Sequence, residues 1–233
     1  MNPSRALVRI APIIAAVLLS VVNVSAQTRP QPRPPSRPAV PPPPPPTFAV
    51  RLFADGGVNK FAAGRSFNAI LGKDSGPVYG GGGEVVFRGR WFARVDLWRF
   101  KGEGERAIRL ENQTFPLGIP LTVTIMPIEV DAGVRMPLGR RRALVPYAGA
   151  GVSSHSYKET SSFATGEENV NERFTGYQIL GGVEYRLHRV IGIAGEVQYT
   201  TVPDAIGAGG LSAEFNENDL GGLIVRARVL FGR

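Results

Sequence analysis

The chain of 233 residues contains no cysteine. That removes a disulfide framework, a thiolate metal site and an acceptor for an amino-terminal lipid anchor. Histidine is nearly absent too, with only His155 and His188. Few groups can therefore serve as a general base near neutral pH, and neither histidine has a second within metal-ligand spacing. Acidic residues are missing before residue 48, where Arg5, Arg9, Arg29, Arg33 and Arg37 lie. Removing those five arginines from the 27 Lys and Arg leaves 22 basic against 19 acidic residues, so the net charge of +8 is mostly local. A nucleic-acid partner is not expected on that distribution.

Long apolar runs are scarce as well. The one run, Ile10 to Val22, is about a dozen residues, whereas a spanning helix needs roughly twenty. Arg5 and Arg9 precede it and Val24-Ser25-Ala26 follows it, which predicts a secretory signal over residues 1–26, cleaved near Ala26. Residues 27–47 form the next segment. Eleven of the twenty residues from Thr28 to Thr47 are proline, which has a fixed φ and no amide donor, so a disordered, extended polyproline segment is expected. It reads as a spacer or docking track, or as a solubilising tail.

From Phe48 onward apolar and polar residues alternate with period two, the pattern of strands with two unlike faces. Ile128, Val130, Ala132, Val134 and Met136 fall on one face, while Glu129, Asp131 and Arg135 fall on the other. Such runs occur at about 48–57, 78–88, 91–100, 121–136, 144–155, 174–187, 190–200 and 220–231. No comparable helical periodicity follows the signal. The connections alternate long and short: Val58 to Pro77, Gly89-Arg90, Lys101 to Pro120, Pro137 to Ala143, Ser156 to Arg173, His188-Arg189 and Thr201 to Asp219. Eight antiparallel strands of bilayer-crossing length, with long loops at one end and short turns at the other, predict an all-β, up-and-down transmembrane barrel over residues 48–233. The short turns and both chain ends would lie in the periplasm.

With the apolar face outward, aromatics fall near strand ends. Phe48, Phe87, Trp91, Tyr147, Tyr185 and Phe231 would mark the turn end, and Tyr79, Tyr157, Tyr177 and Tyr199 the loop end, as two interfacial girdles. The inward face would hold Arg51, Asp55, Glu84, Arg94, Asp96, Glu129, Asp131, Arg135, Glu184, Arg186, Glu196, Gln198, Arg226 and Arg228. Inside a narrow barrel these charges must pair, because an isolated buried ion is very costly. Glycine and alanine are frequent on both faces, as a small barrel requires.

In this layout the segment from Phe48 to Arg233 resembles the small eight-stranded outer-membrane barrels of the OmpA and OmpX type. The resemblance implies an outer-membrane location, a lipid-facing belt and an interior filled by side chains.

Motifs for chemistry are weak. Gly72-Lys73-Asp74 has Asp74 where a phosphate loop needs a hydroxyl, and Gly149-Ala150-Gly151 is not followed by a helix. No cofactor is expected. Four consecutive glycines, Gly80 to Gly83, belong to a strand, with Gly82 inward opposite bulky groups such as Arg51 and Arg94. His155 and Ser156 are adjacent and so face opposite ways, which argues against catalysis. The acidic loop residues Glu167, Glu168, Glu172, Asp204, Glu214, Glu217 and Asp219 read as a solvated surface that could attract divalent cations.

The primary expectation is a monomeric, occluded outer-membrane barrel in contact with lipid, non-enzymatic, structural or adhesive. Its proline-rich segment would meet a periplasmic partner or peptidoglycan. Two alternatives are a lipocalin-like periplasmic or secreted carrier with the apolar face inward, and a barrel-embedded lipid hydrolase using His155.

Overall fold

The computed structural model describes residues 47–110, 113–139, 142–161, 170–207 and 210–232. The expected signal, its cleavage position, the proline-rich segment up to residue 46 and the acidic residues Glu167 and Glu168 lie outside them.

The alternating runs form eight strands: β1 (Phe48–Phe61), β2 (Ser75–Phe87), β3 (Trp91–Leu110), β4 (Gln113–Arg135), β5 (Leu144–Thr160), β6 (Val170–Arg186), β7 (Ile191–Thr201) and β8 (Gly222–Gly232). Each pairs antiparallel with the next, and β8 returns to β1 from Arg51↔Gly232 to Phe61↔Gly222, closing the barrel. Closure leaves no unpaired strand edge around the barrel wall itself. With eight strands the interior is narrow enough for side chains to fill.

The strands run further toward the loop end than periodicity indicates. The connection expected as a loop from Lys101 to Pro120 is largely a hairpin: β3 and β4 stay paired out to Leu110↔Gln113, with an irregularity between Glu105 and Ala107. Its sequence breaks strict alternation with glycine and proline, so strand character is carried there by cross-strand pairing more than by pattern.

Two short helices also correct the expectation of none. α1 (Gly64–Leu71) lies between β1 and β2, and α2 (Gly210–Phe215) lies between β7 and β8. In α1, Phe67, Ile70 and Leu71 stand at i, i+3 and i+4, a single apolar stripe. Phe67 and Leu71 are buried, and Ile70 packs against the same core cluster.

The interior has two storeys. At the loop end Phe61, Phe67, Leu71, Val78, Trp98, Phe100, Leu121, Val123, Ile125, Tyr157, Val202 and Leu220 form one apolar cluster. Phe61 stacks on Phe67 at 4.0 Å between ring centroids, and Phe100 meets Phe61 edge-on at 4.8 Å. α1 thus seats its stripe in the barrel mouth. Nearer the turns the interior is polar and charged, apart from small apolar contacts around Phe53, Phe92 and Leu230.

Candidate functional site

Two surfaces carry the chemistry of this molecule: its charged lumen and its apolar outer wall.

Period two sends Arg94, Glu129, Asp131, Arg135, Glu184, Glu196, Arg226 and Arg228 inward, and all are buried. They meet in two groups. Near the turns, Arg51 Nη1 donates to Glu184 at 2.8 Å and Nε to Glu84 at 3.1 Å. Arg135 donates to Glu84 at 3.1 Å and also bonds Glu184, while Arg186 Nε reaches Glu184 at 3.2 Å from the rim. A cavity of about 10 Å³ opens between Arg51, Glu84, Arg135, Tyr147, Glu184 and Arg228, room for about one water.

Deeper in, Glu196 is the hub. Arg94 grips it bidentately at 2.6 and 2.9 Å, Arg226 Nε donates at 2.9 Å and Arg228 Nη1 at 3.3 Å. Arg94 Nε also donates to Asp131 at 2.8 Å, and Arg228 Nη2 to Asp55 at 2.9 Å and Asp96 at 2.7 Å. Glu129 accepts from Trp98 Nε1 and Gln198 Nε2, both at 2.8 Å, and Gln178 Nε2 donates to Asp131 at 2.9 Å. Bidentate arginine pairs hold direction as well as charge, so the network braces the wall from inside.

Two of the aromatics expected in the interfacial girdles, Tyr147 and Tyr157, face the interior instead. Tyr147 turns inward, donates its hydroxyl to Glu196 at 2.9 Å and meets Phe92 edge-on at 6.0 Å. Tyr157 is likewise inward, in the apolar cluster. The parity of β5 carries the signal: both share a face with Ser153 and His155, which are polar and buried. His155 Nε2 lies 3.0 Å from Ser153 Oγ, a pairing that the neighbour-by-neighbour reading with Ser156 missed.

The loop carboxylates also have structural partners. Glu217 Oε1 accepts from the Arg65 backbone N–H at 3.1 Å, and Oε2 from the Ser66 N–H at 2.9 Å and its Oγ at 2.6 Å. It thereby caps the amino terminus of α1 from the far end of the sequence. Burial would raise this carboxyl, but the hydrogen bonds from Ser66 and Arg65 outweigh it and hold it below the usual carboxylate range. Asp219 accepts from Thr201 Oγ1 and the N–H groups of Val202 and Gly221, each at 2.7 Å.

The outer wall is apolar. On β4 and its end, Met126, Ile128, Val130, Val134 and Met136 are exposed. Eleven residues at about 3.3 Å rise, tilted about 45°, span roughly 26 Å, the height of a lipid-facing band. Exposed aromatics border the wall: Phe48, Phe87, Trp91, Tyr185 and Phe231 at the turn end, Tyr79, Tyr177 and Tyr199 toward the loops. The sequence profile of the outer membrane protein beta-barrel domain matches residues 54–221.

The chain belongs to that outer-membrane beta-barrel family.

The structure of OprG, an outer membrane protein from Pseudomonas aeruginosa, is similar with a TM-score of 0.51 and 14% identity, over 80% of this chain and 95% of that one. Neisserial surface protein A gives a TM-score of 0.49 and 14% identity, over 79% of this chain and 96% of that one. No curated protein matches the sequence. As an outer-membrane barrel, the molecule meets hydrocarbon with its outer wall, places its short turns in the periplasm and directs its longer connections outward. A lipocalin-like carrier, which needs the apolar face inward along the barrel, is overturned by this orientation.

Proposed function

We propose that this outer-membrane barrel is a non-conducting anchor with a structural or adhesive role, presenting its loop end for contact at the cell surface. The lumen carries the reading. Arg94, Arg226 and Arg228 are tied across it through Glu196, and above them the Phe61–Phe67–Phe100 stack fills the mouth. A hydrated ion would have to break buried ion pairs to pass, and breaking one is strongly unfavourable. Refolded protein in planar bilayers is expected to give no steady conductance, and regular long-lived current steps would overturn the reading.

The paired extension of β3 and β4 supports contact. It carries Ile108, Phe115 and Leu117 exposed on a ribbon beyond the barrel wall. The closed wall itself offers no strand edge for pairing, in keeping with a monomer, while in the ribbon beyond it each strand is paired on one side. The reading is non-enzymatic, because His155 is buried in the lumen against Ser153 and does not face lipid. The proline-rich segment would extend toward peptidoglycan or a periplasmic protein.

A further inference from the structure

Charge is distributed along the barrel axis with a strong bias. The short turns hold Arg88 and Arg90 between β2 and β3, Arg142 between β4 and β5, and Arg189 between β6 and β7, all exposed. The three turn sequences, residues 88–90, 136–143 and 187–190, contain no Asp or Glu. Next to the turns in sequence, Glu84 and Glu184 point into the lumen and are already held by Arg51, Arg135 and Arg186. None of the four turn arginines has a carboxylate partner among the described residues. The connection between β7 and β8, at the opposite end, carries Asp204, Glu214, Glu217 and Asp219 and no basic residue.

The arginines stand at a defined depth. Exposed apolar side chains continue into the turns themselves, with Phe87 next to Arg88, Trp91 next to Arg90, and Leu138, Leu144, Leu187 and Val190 around Arg142 and Arg189. The Arg88 guanidinium lies over the Phe87 ring, 5.1 Å from its centroid. A cation on a long stem beside an apolar belt reaches the headgroup layer, where it meets phosphate. Backbone geometry adds a second observation. Arg88 and Arg142 have φ of 50° and 49°, a left-handed conformation that Gly, Asn or Asp adopts more easily in a tight turn. Arginine stands there despite a local preference for other residues, a pattern associated with functional positions.

We propose that the turn arginines form a collar that selects anionic phospholipids, through their phosphate groups, in the periplasmic leaflet. The collar does not rest on occlusion of the lumen: a conducting barrel would leave it intact. Zwitterionic lipids present the same phosphate with an ammonium beside it, so net anionic lipids gain over them. The effect falls with salt, as interaction between exposed charges does.

The test uses the barrel's own tryptophans. Trp91 is exposed at the collar and Trp98, the other one, is buried. The refolded full chain is placed in bilayers containing acyl-brominated phosphatidylglycerol or brominated phosphatidylcholine at equal mole fraction. The expected result is at least about twofold stronger association of phosphatidylglycerol, read as quenching of Trp91, since each basic residue near a charged surface attracts it measurably. The preference should fade in high salt, disappear in a variant with Arg88, Arg90, Arg142 and Arg189 each changed to Gln, and persist with Lys at the same positions. The quenching difference should also be lost in Trp91→Phe. Folding of each variant is checked by heat-modifiable gel migration. Should the Gln variant not fold, the wild-type comparison across lipids and salt decides alone. Equal quenching by the two lipids overturns the proposal, as does a preference that survives in the folded Gln variant. Arginine-dependent sedimentation with purified peptidoglycan and no lipid preference also overturns it.

Discussion

At Gly82 an added Cβ would lie 1.9 Å from the Val95 carbonyl oxygen and 2.9 Å from Phe53 Cζ. The first neighbour is backbone and cannot swing away. The second is the residue paired directly opposite, Phe53↔Gly82, whose ring fills the lumen under the Arg228 guanidinium at 4.1 Å. Close approach of another strand and of a bulky inward group is what glycine in a strand commonly permits. The need for space was legible in Gly80 to Gly83, but its occupant is an aromatic ring and the neighbouring backbone, where inward arginines were expected. Gly82→Leu should therefore cost about 1–3 kcal/mol or prevent closure altogether, read by urea unfolding in bilayers and by gel migration. Gly195→Ala is the matched control, since its Cβ would meet nothing within 4 Å, and its effect should stay within about 0.5 kcal/mol. Wild-type stability in Gly82→Leu would refute this account of the strand. Tyr147 shows the opposite limit of residue-level reading: its distance from the strand end favoured a girdle position, while the parity of β5 sends it to Glu196.

Among the elements, the eight strands were readable because one face had to be apolar along their length, whereas α1 was not. Eight residues are too few for a helix stable by itself, and its amino-terminal cap comes from Glu217, about 150 positions away in sequence. Local capping rules see only neighbours. The second tie is Arg65, whose Nη2 donates to the Phe215 carbonyl at 2.6 Å and whose guanidinium lies 5.4 Å from the Phe215 ring centroid. Loss of the Glu217 charge should therefore loosen α1 without loosening the wall. Because the folded Glu217 carboxyl titrates below its unfolded value, its contribution is complete above the ordinary glutamate pKa of about 4.3 and is lost as pH falls through the lower folded value. In hydrogen exchange at neutral pH, Glu217→Gln should lower protection of residues 64–71 by about fivefold, near 1 kcal/mol for a lost cap. Strand amides should remain unchanged. In the wild type the same loss should set in only under acid conditions, as pH falls below the ordinary glutamate pKa of about 4.3. Protection of α1 that ignores both the substitution and acid would show that the apolar stripe alone holds the helix.

At the scale of the whole molecule, the sequence alternation is one pattern serving two interiors. Near the turns, polar-in and apolar-out follow directly from a wall facing hydrocarbon. Toward the loops the strands rise above the belt, and Phe100, Val123, Ile125 and Ile224 point inward instead. One alternation rule for the whole barrel could predict the charged lumen but not the apolar plug, which depends on α1 folding back over the mouth. On the proposed non-conducting reading, the two storeys close the barrel independently. The plug is held by burial of apolar surface, and the network below it by Arg94, Arg226 and Arg228 converging on Glu196. Replacing residues 62–73 with a short turn would remove α1 and expose the ring of Phe61 and Phe100, yet the ion pairs beneath would still cross the lumen. Such a variant should migrate as a folded barrel, expose new apolar surface to a hydrophobic dye, and remain without steady conductance in planar bilayers. Steady current steps in this variant, absent from the wild type, would assign closure to the plug alone and leave the charged network a bracing role only.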